Sequence, residues 1–133
     1  MNNIYANDIS LKTNEEYNNF LEENPGIGHL RIRAFAANQA VPVSNVKIIV
    51  SKKIGNNIII FFEGTTDASG LINNINLPAP KLNNNNLDVP KTTSYDIKAQ
   101  IDPSSSSFLY KVDMYDNICV VQNISVVPNI NIE

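Results

Sequence analysis

Tryptophan is absent from this chain, and cysteine and histidine occur once each in 133 residues. A lone cysteine, Cys119, has no partner for an internal disulfide, and a lone histidine, His29, leaves a zinc site of the usual Cys/His kind short of ligands. A strong charge of either sign is also missing. Ten Lys and Arg stand against thirteen Asp and Glu, a net charge of −3, and the only basic pairs are Arg31/Arg33 and Lys52/Lys53. Nucleic-acid binding draws most of its affinity from neutralised phosphates and is disfavoured on that balance. No apolar run approaches the roughly 18 residues that read as a membrane span, and residues 1–11 are polar, without the basic and apolar regions of a secretory leader. The expectation is a chain made in the cytoplasm without a signal peptide and with no membrane span.

What is present suffices for one core. Hydrophobic residues make up 43% and charged residues 17%, too apolar for a solvated disordered polymer. A domain of this size buries about two-thirds of its unfolded surface without help from disulfides or metals. The 22 Asn and 18 Ile are a compositional bias that accompanies an AT-rich genome and do not indicate function.

Charge divides unevenly along the chain. Residues 1–25 hold Asp8, Glu15, Glu16, Glu22 and Glu23 against Lys12 alone, a net of −4, whereas the remainder is at +1. Thr13-Asn14-Glu15-Glu16 matches a capping box, Tyr17, Phe20 and Leu21 follow at i, i+3, i+4, and Asn24-Pro25-Gly26 supplies a stop, so a helix of about ten residues is predicted. So short a helix is marginal alone. Tyr17, Phe20 and Leu21 must therefore pack on their own domain or on a neighbouring chain. Ahead of it, Ile4, Tyr5, Ile9 and Leu11 give the N-terminal arm a strand-like character.

From Gly28 the period changes to two. Residues 29–34, 46–50, 57–63, 71–77, 95–101, 108–114 and 118–127 read as seven strands, separated by turn formers that include Pro42, Asp67, Gly70, Pro78 and Pro80. The expected organisation is an arm and short helix over 1–24 followed by a β-sandwich over 25–133.

Four pieces occur in order: Gly28-x-Leu30-x-Ile32, Pro42-Val43-Ser44-Asn45-Val46-Lys47-Ile48, Thr66-Asp67-Ala68-Ser69-Gly70 and Leu77-Pro78-Ala79-Pro80. Across roughly residues 28–128 this arrangement resembles the carboxypeptidase regulatory-like domains of the transthyretin-like (prealbumin-like) sandwich class. With Pro90 and Thr93-Ser94-Tyr95-Asp96-Ile97 it is similar to the small domain that begins clostridial spore cortex-lytic enzymes and related spore proteins. The resemblance implies an all-β, seven-stranded sandwich in the spore or cell envelope of a low-GC bacterium, one of the Firmicutes, reached after mother-cell lysis. The family's Gly-aromatic pair after the fifth strand is missing, and Asp102-Pro103-Ser104-Ser105-Ser106-Ser107-Phe108 stands there instead.

Candidate chemistry is sparse. His29 shares a solvent-facing strand edge with Arg31 and Arg33 and has no carboxylate or Cys cluster; residues 104–107 offer nucleophiles without a base; Cys119 reads as a small buried or half-buried strand residue. Asp67 is one carboxylate where calcium needs several oxygens, so an Asx-turn is expected there. The first strand lacks the Lys of an isopeptide bond, and the four Asn of residues 83–86 reflect composition. No acid, base and nucleophile converge. The expectation is a non-catalytic structural or interaction module, with no cofactor and no metal. Its partner would be itself, a spore or envelope protein, or peptidoglycan, through Ile4, Tyr5, Ile9, Leu11, Tyr17, Phe20 and Leu21. The alternative is a monomeric glycan- or protein-binding accessory to a cell-wall hydrolase. The run Ile58-Ile59-Ile60-Phe61-Phe62 is a pairing hazard if it lies at a sheet edge, and an arm can cover it by strand addition.

Overall fold

Alternating apolar residues place Leu30, Ile32 and Ala34 on one side of an eleven-residue strand, and that strand organises half of the molecule. A computed structural model describes residues 2–36, 40–82, 91–101 and 107–126. The strands are β1 (Asn2–Tyr5), β2 (Gly26–Ala36), β3 (Val41–Pro42), β4 (Lys47–Ile54), β5 (Asn57–Thr65), β6 (Leu71–Ala79), β7 (Thr93–Gln100), β8 (Phe108–Met114) and β9 (Cys119–Ser125). A 3-10 turn (Ile9–Thr13) and helix α1 (Glu15–Glu23) lie between β1 and β2. The expected all-β sandwich with one short helix is present, with nine strands where seven were predicted. The added pair is β1, in the arm, and β3, too short to show a period in sequence.

Two sheets form. The larger runs β1-β5-β4-β7-β8; in the smaller, β2 pairs antiparallel with β3 and β6 and parallel with β9. Leu30, Ile32, Ile75 and Leu77 of the smaller sheet share one core with Ile48, Val50, Ile97 and Met114 of the larger. Period-two burial explains this layering, since one face of each strand meets the opposite sheet. Tyr95, 1% exposed, ties the layers: its hydroxyl donates to the Pro78 carbonyl at 2.5 Å, and burial pushes its pKa up.

Several sequence expectations need correction. Asn14, not Thr13, caps α1, because its carboxamide oxygen accepts from the Tyr17 N–H at 2.9 Å while the Thr13 hydroxyl bonds back to the Ser10 carbonyl. Pro42 and Pro78 lie within strands instead of turns, paired with Phe35 and Ile27. Both β3 and β6 pair only with β2 among the described residues, so a missing N–H breaks no ladder there. Cys119 is exposed, not buried, because its side chain projects from the outer face of β9. Pro80 follows β6 directly, half-buried. The Asn run over 83–86, Pro90, Asp102 to Ser106 and the chain beyond Val126 lie outside the described residues.

The Asx-turn reading of Asp67 holds. Its carboxylate accepts from the N–H groups of Ser69 (2.8 Å) and Leu71 (3.0 Å), and Gly70 follows at φ +74°. A β-carbon on Gly70 would sit 2.4 Å from the Ala34 carbonyl oxygen. Conformation and contact therefore both demand glycine. Gly70→Val is expected to destabilise the domain by about 1–2 kcal/mol or more, measured by denaturant unfolding; an unchanged midpoint would show that the turn does not constrain the β5–β6 connection.

Candidate interaction site

The Ile58–Phe62 run lies in β5, with β4 on one side. The other side is covered by the chain's own arm. β1 runs parallel to β5 in the register Asn3↔Ile58, Ile4↔Ile59 and Tyr5↔Ile60, and the Ala6 N–H continues the pairing to the Ile60 carbonyl at 2.8 Å. The hazard foreseen in the sequence is thus met by strand addition within one chain.

Side chains fasten this seat in two places. At the outer surface the Tyr5 hydroxyl donates to the Glu63 carboxylate at 2.6 Å, and Lys47 approaches the other carboxylate oxygen at 3.1 Å. These contacts hold the Glu63 carboxyl below its ordinary range, the Tyr5 hydrogen bond first, and the same carboxylate raises the Tyr5 pKa. Beneath, a register shift between Val50 and Ser51 places Phe61 at a bulge. Its ring meets Phe20 at 5.9 Å, Tyr17 at 6.4 Å and, edge to face, Tyr95 at 5.3 Å. Buried Asn24 closes the arm: its amide donates to the Phe20 carbonyl at 2.8 Å, and the Thr93 hydroxyl donates to its side-chain oxygen.

The seven arm residues proposed from sequence therefore divide. Leu11, Tyr17 and Phe20 are buried in the chain's own core and Ile4 packs half-buried against it, so these four are not free surface. Tyr5, Ile9 and Leu21 are exposed. Leu21 departs from the predicted apolar stripe because the arm seats on the larger sheet through Tyr17 and Phe20, leaving Leu21 beside Ile27 and Pro78 in a shallow apolar groove. Sequence reasoning missed Glu63, Tyr95, Asn24 and Thr93 as fasteners. The bonds Tyr5–Glu63, Tyr95–Pro78 and Thr93–Asn24 join residues 17 to 69 positions apart, and only a polar residue beside an apolar run marks each.

The outer face of the smaller sheet holds the remaining sequence candidates. His29 is half-buried with Nδ1 2.8 Å from the Asn76 amide oxygen, Arg31 is exposed, and the Arg33 guanidinium lies 5.2 Å from the Phe35 ring centroid. Cys119 stands opposite His29 in the β2–β9 ladder. At the margin of this sheet Asp116 accepts from the N–H groups of Leu82 (3.1 Å) and Ile27 (3.0 Å), and those bonds hold its carboxyl below the usual carboxylate range. No group of three or more His, Cys, Asp or Glu gathers among the described residues, and no described helix is long and apolar enough to cross a membrane.

No protein-family model and no curated protein matches the chain. Among solved structures, Klebsiella pneumoniae 5-hydroxyisourate hydrolase is similar over 74% of this chain and 90% of that one, at 14% identity and a TM-score of 0.48. The fold itself is an all-β sandwich of two sheets with one short helix. The expectation that the chain is not an enzyme is corrected: the solved structure found is a hydrolase, and the lack of a converging acid, base and nucleophile in the sequence does not by itself exclude catalysis. Identity is too low to transfer any residue's role.

The division of the arm is measurable. Phe20→Ala is expected to cost about 3–5 kcal/mol, and Leu21→Ala under about 1 kcal/mol, in denaturant unfolding. Equal effects would show that α1 does not dock through the Phe20 face.

Proposed function

We propose that this chain is a self-associating module in which the N-terminal arm of one copy takes the β5 seat of another. The spore or cell envelope, implied by the family resemblance, is the proposed setting, and a further copy or an envelope protein the proposed partner. The observation that carries the reading is the β1–β5 pairing. A terminal strand of four residues completes the five-stranded sheet over its most apolar run, and the chain that joins it to the sandwich leaves through Asn24-Pro25. A seat that accepts a segment in cis presents the same ladder and pockets in trans, the usual route to exchanged dimers. Burial of Tyr17 and Phe20, worth about 1.5–3 kcal/mol each, is the same in either arrangement. The balance is therefore set by concentration and linker strain.

Exchange can be trapped. Asn3 and Ile58 are neighbours in the register, and adjacent strands lie about 4.8 Å apart, within disulfide reach. With Cys119→Ser in the background, Asn3→Cys/Ile58→Cys is equilibrated at low and high protein concentration and then oxidised. The expected product is a disulfide-linked dimer whose share rises with concentration and which neither single-cysteine variant forms through the same pair. Intramolecular linkage alone at every concentration, with a one-chain sedimentation mass, would overturn the reading.

A further inference from the structure

Strands β2, β6 and β9 contain no acidic residue, yet β2 carries His29, Arg31 and Arg33 at alternate positions, all toward the outer face. Around them stand amides, among them Asn76 and Asn123, and exposed Val121. Neither arginine forms an ion pair with any described residue; the three ion pairs found there belong to Lys47, Lys81 and Lys111. Asp116, at the margin, is engaged by two backbone N–H groups and Lys81. Among the described residues this is a basic face without a free counter-charge.

The complementary surface is in the same chain. Helix α1 has four glutamates and no basic residue, and all four are exposed. None forms an ion pair with a described residue. Glu16 folds over Gly55 and Glu23, seven residues on, shares its flank of the helix, which leaves Glu15 and Glu22 as the outward stripe at i and i+7. That spacing is about 10.5 Å along the helix. Arg31 and Arg33 are about 6.7 Å apart along the strand, and their long side chains span the difference.

We infer that the outer face of the smaller sheet is the docking surface for helix α1 of a second copy, through Arg31 and Arg33 against Glu15 and Glu22. Donor and acceptor surfaces differ, so the contact is head to tail and propagates into an open chain of copies. The inference rests on the self-association reading but uses a separate interface, so the two fail separately.

The test begins with the Asn3→Cys/Ile58→Cys/Cys119→Ser chain oxidised within itself, in which arm exchange is blocked. Sedimentation velocity is compared at about 0.01 M and about 1 M salt, where the Debye length falls from roughly 30 to roughly 3 Å. Association at low salt that weakens at least tenfold at high salt is expected. Arg31→Glu/Arg33→Glu and Glu15→Lys/Glu22→Lys should each abolish it alone and restore it when mixed; Arg31→Glu alone serves if the double variant does not fold. A locked chain that stays monomeric at low salt, or reversed variants that fail to rescue each other, would overturn the docking. Concentration-dependent cross-linking of the unlocked chain would still uphold arm exchange.

Discussion

Strand β5 needs cover on three sides, and the rest of the structure is arranged to provide it. Ile59 faces the core, Ile58 and Ile60 are half-buried on the opposite face, and Phe61 and Phe62 both reach the interior at a bulge. A strand this apolar at an open edge would recruit any extended chain. β4 supplies one edge and β1 the other. The acidic, weakly helical N-terminus is thereby part of the sandwich's architecture.

The cover is uneven in strength. Its inner layer is aromatic: Tyr17 and Phe20 on the arm meet Phe61 from the larger sheet, and Phe61 meets Tyr95, whose hydroxyl reaches across to the smaller sheet. Aromatic contacts of this kind add about 0.5–1.5 kcal/mol each beyond burial. Its outer layer is the Tyr5–Glu63–Lys47 chain at the surface, where solvent weakens charge. The arm therefore combines a firm anchor at α1 with a lightly held strand at β1.

How much of this is visible in the sequence depends on the range of the interaction. The alternation over 29–34 and the Asp67-to-Gly70 turn are local and read correctly, because period two and a left-handed glycine are decided by neighbours. The helix is legible in the sequence but its cap lies one residue further on, since Thr13 and Asn14 are both competent and the 3-10 turn claims Thr13. Pro78 misled because a proline in an edge strand looks like a turn until its partner is known. Cys119 misled because Ile118, Val120 and Val121 suggest burial, whereas on β9 alternate side chains leave the core. Which residues the arm would touch was not readable at all. Phe61, Glu63 and Thr93 are brought to it by strand order, which no local pattern encodes.

The central claim is that the arm is a closure able to open without the sandwich unfolding. Native-state amide hydrogen exchange tests it most directly, by comparing the Ala6 N–H, bonded to Ile60, with amides of Val50 and Ile97 in the β4–β7 centre of the sheet. The account predicts that Ala6 exchanges through a local opening of lower free energy than that of Val50 and Ile97. A single opening free energy shared by all three, equal to that of global unfolding, would contradict it.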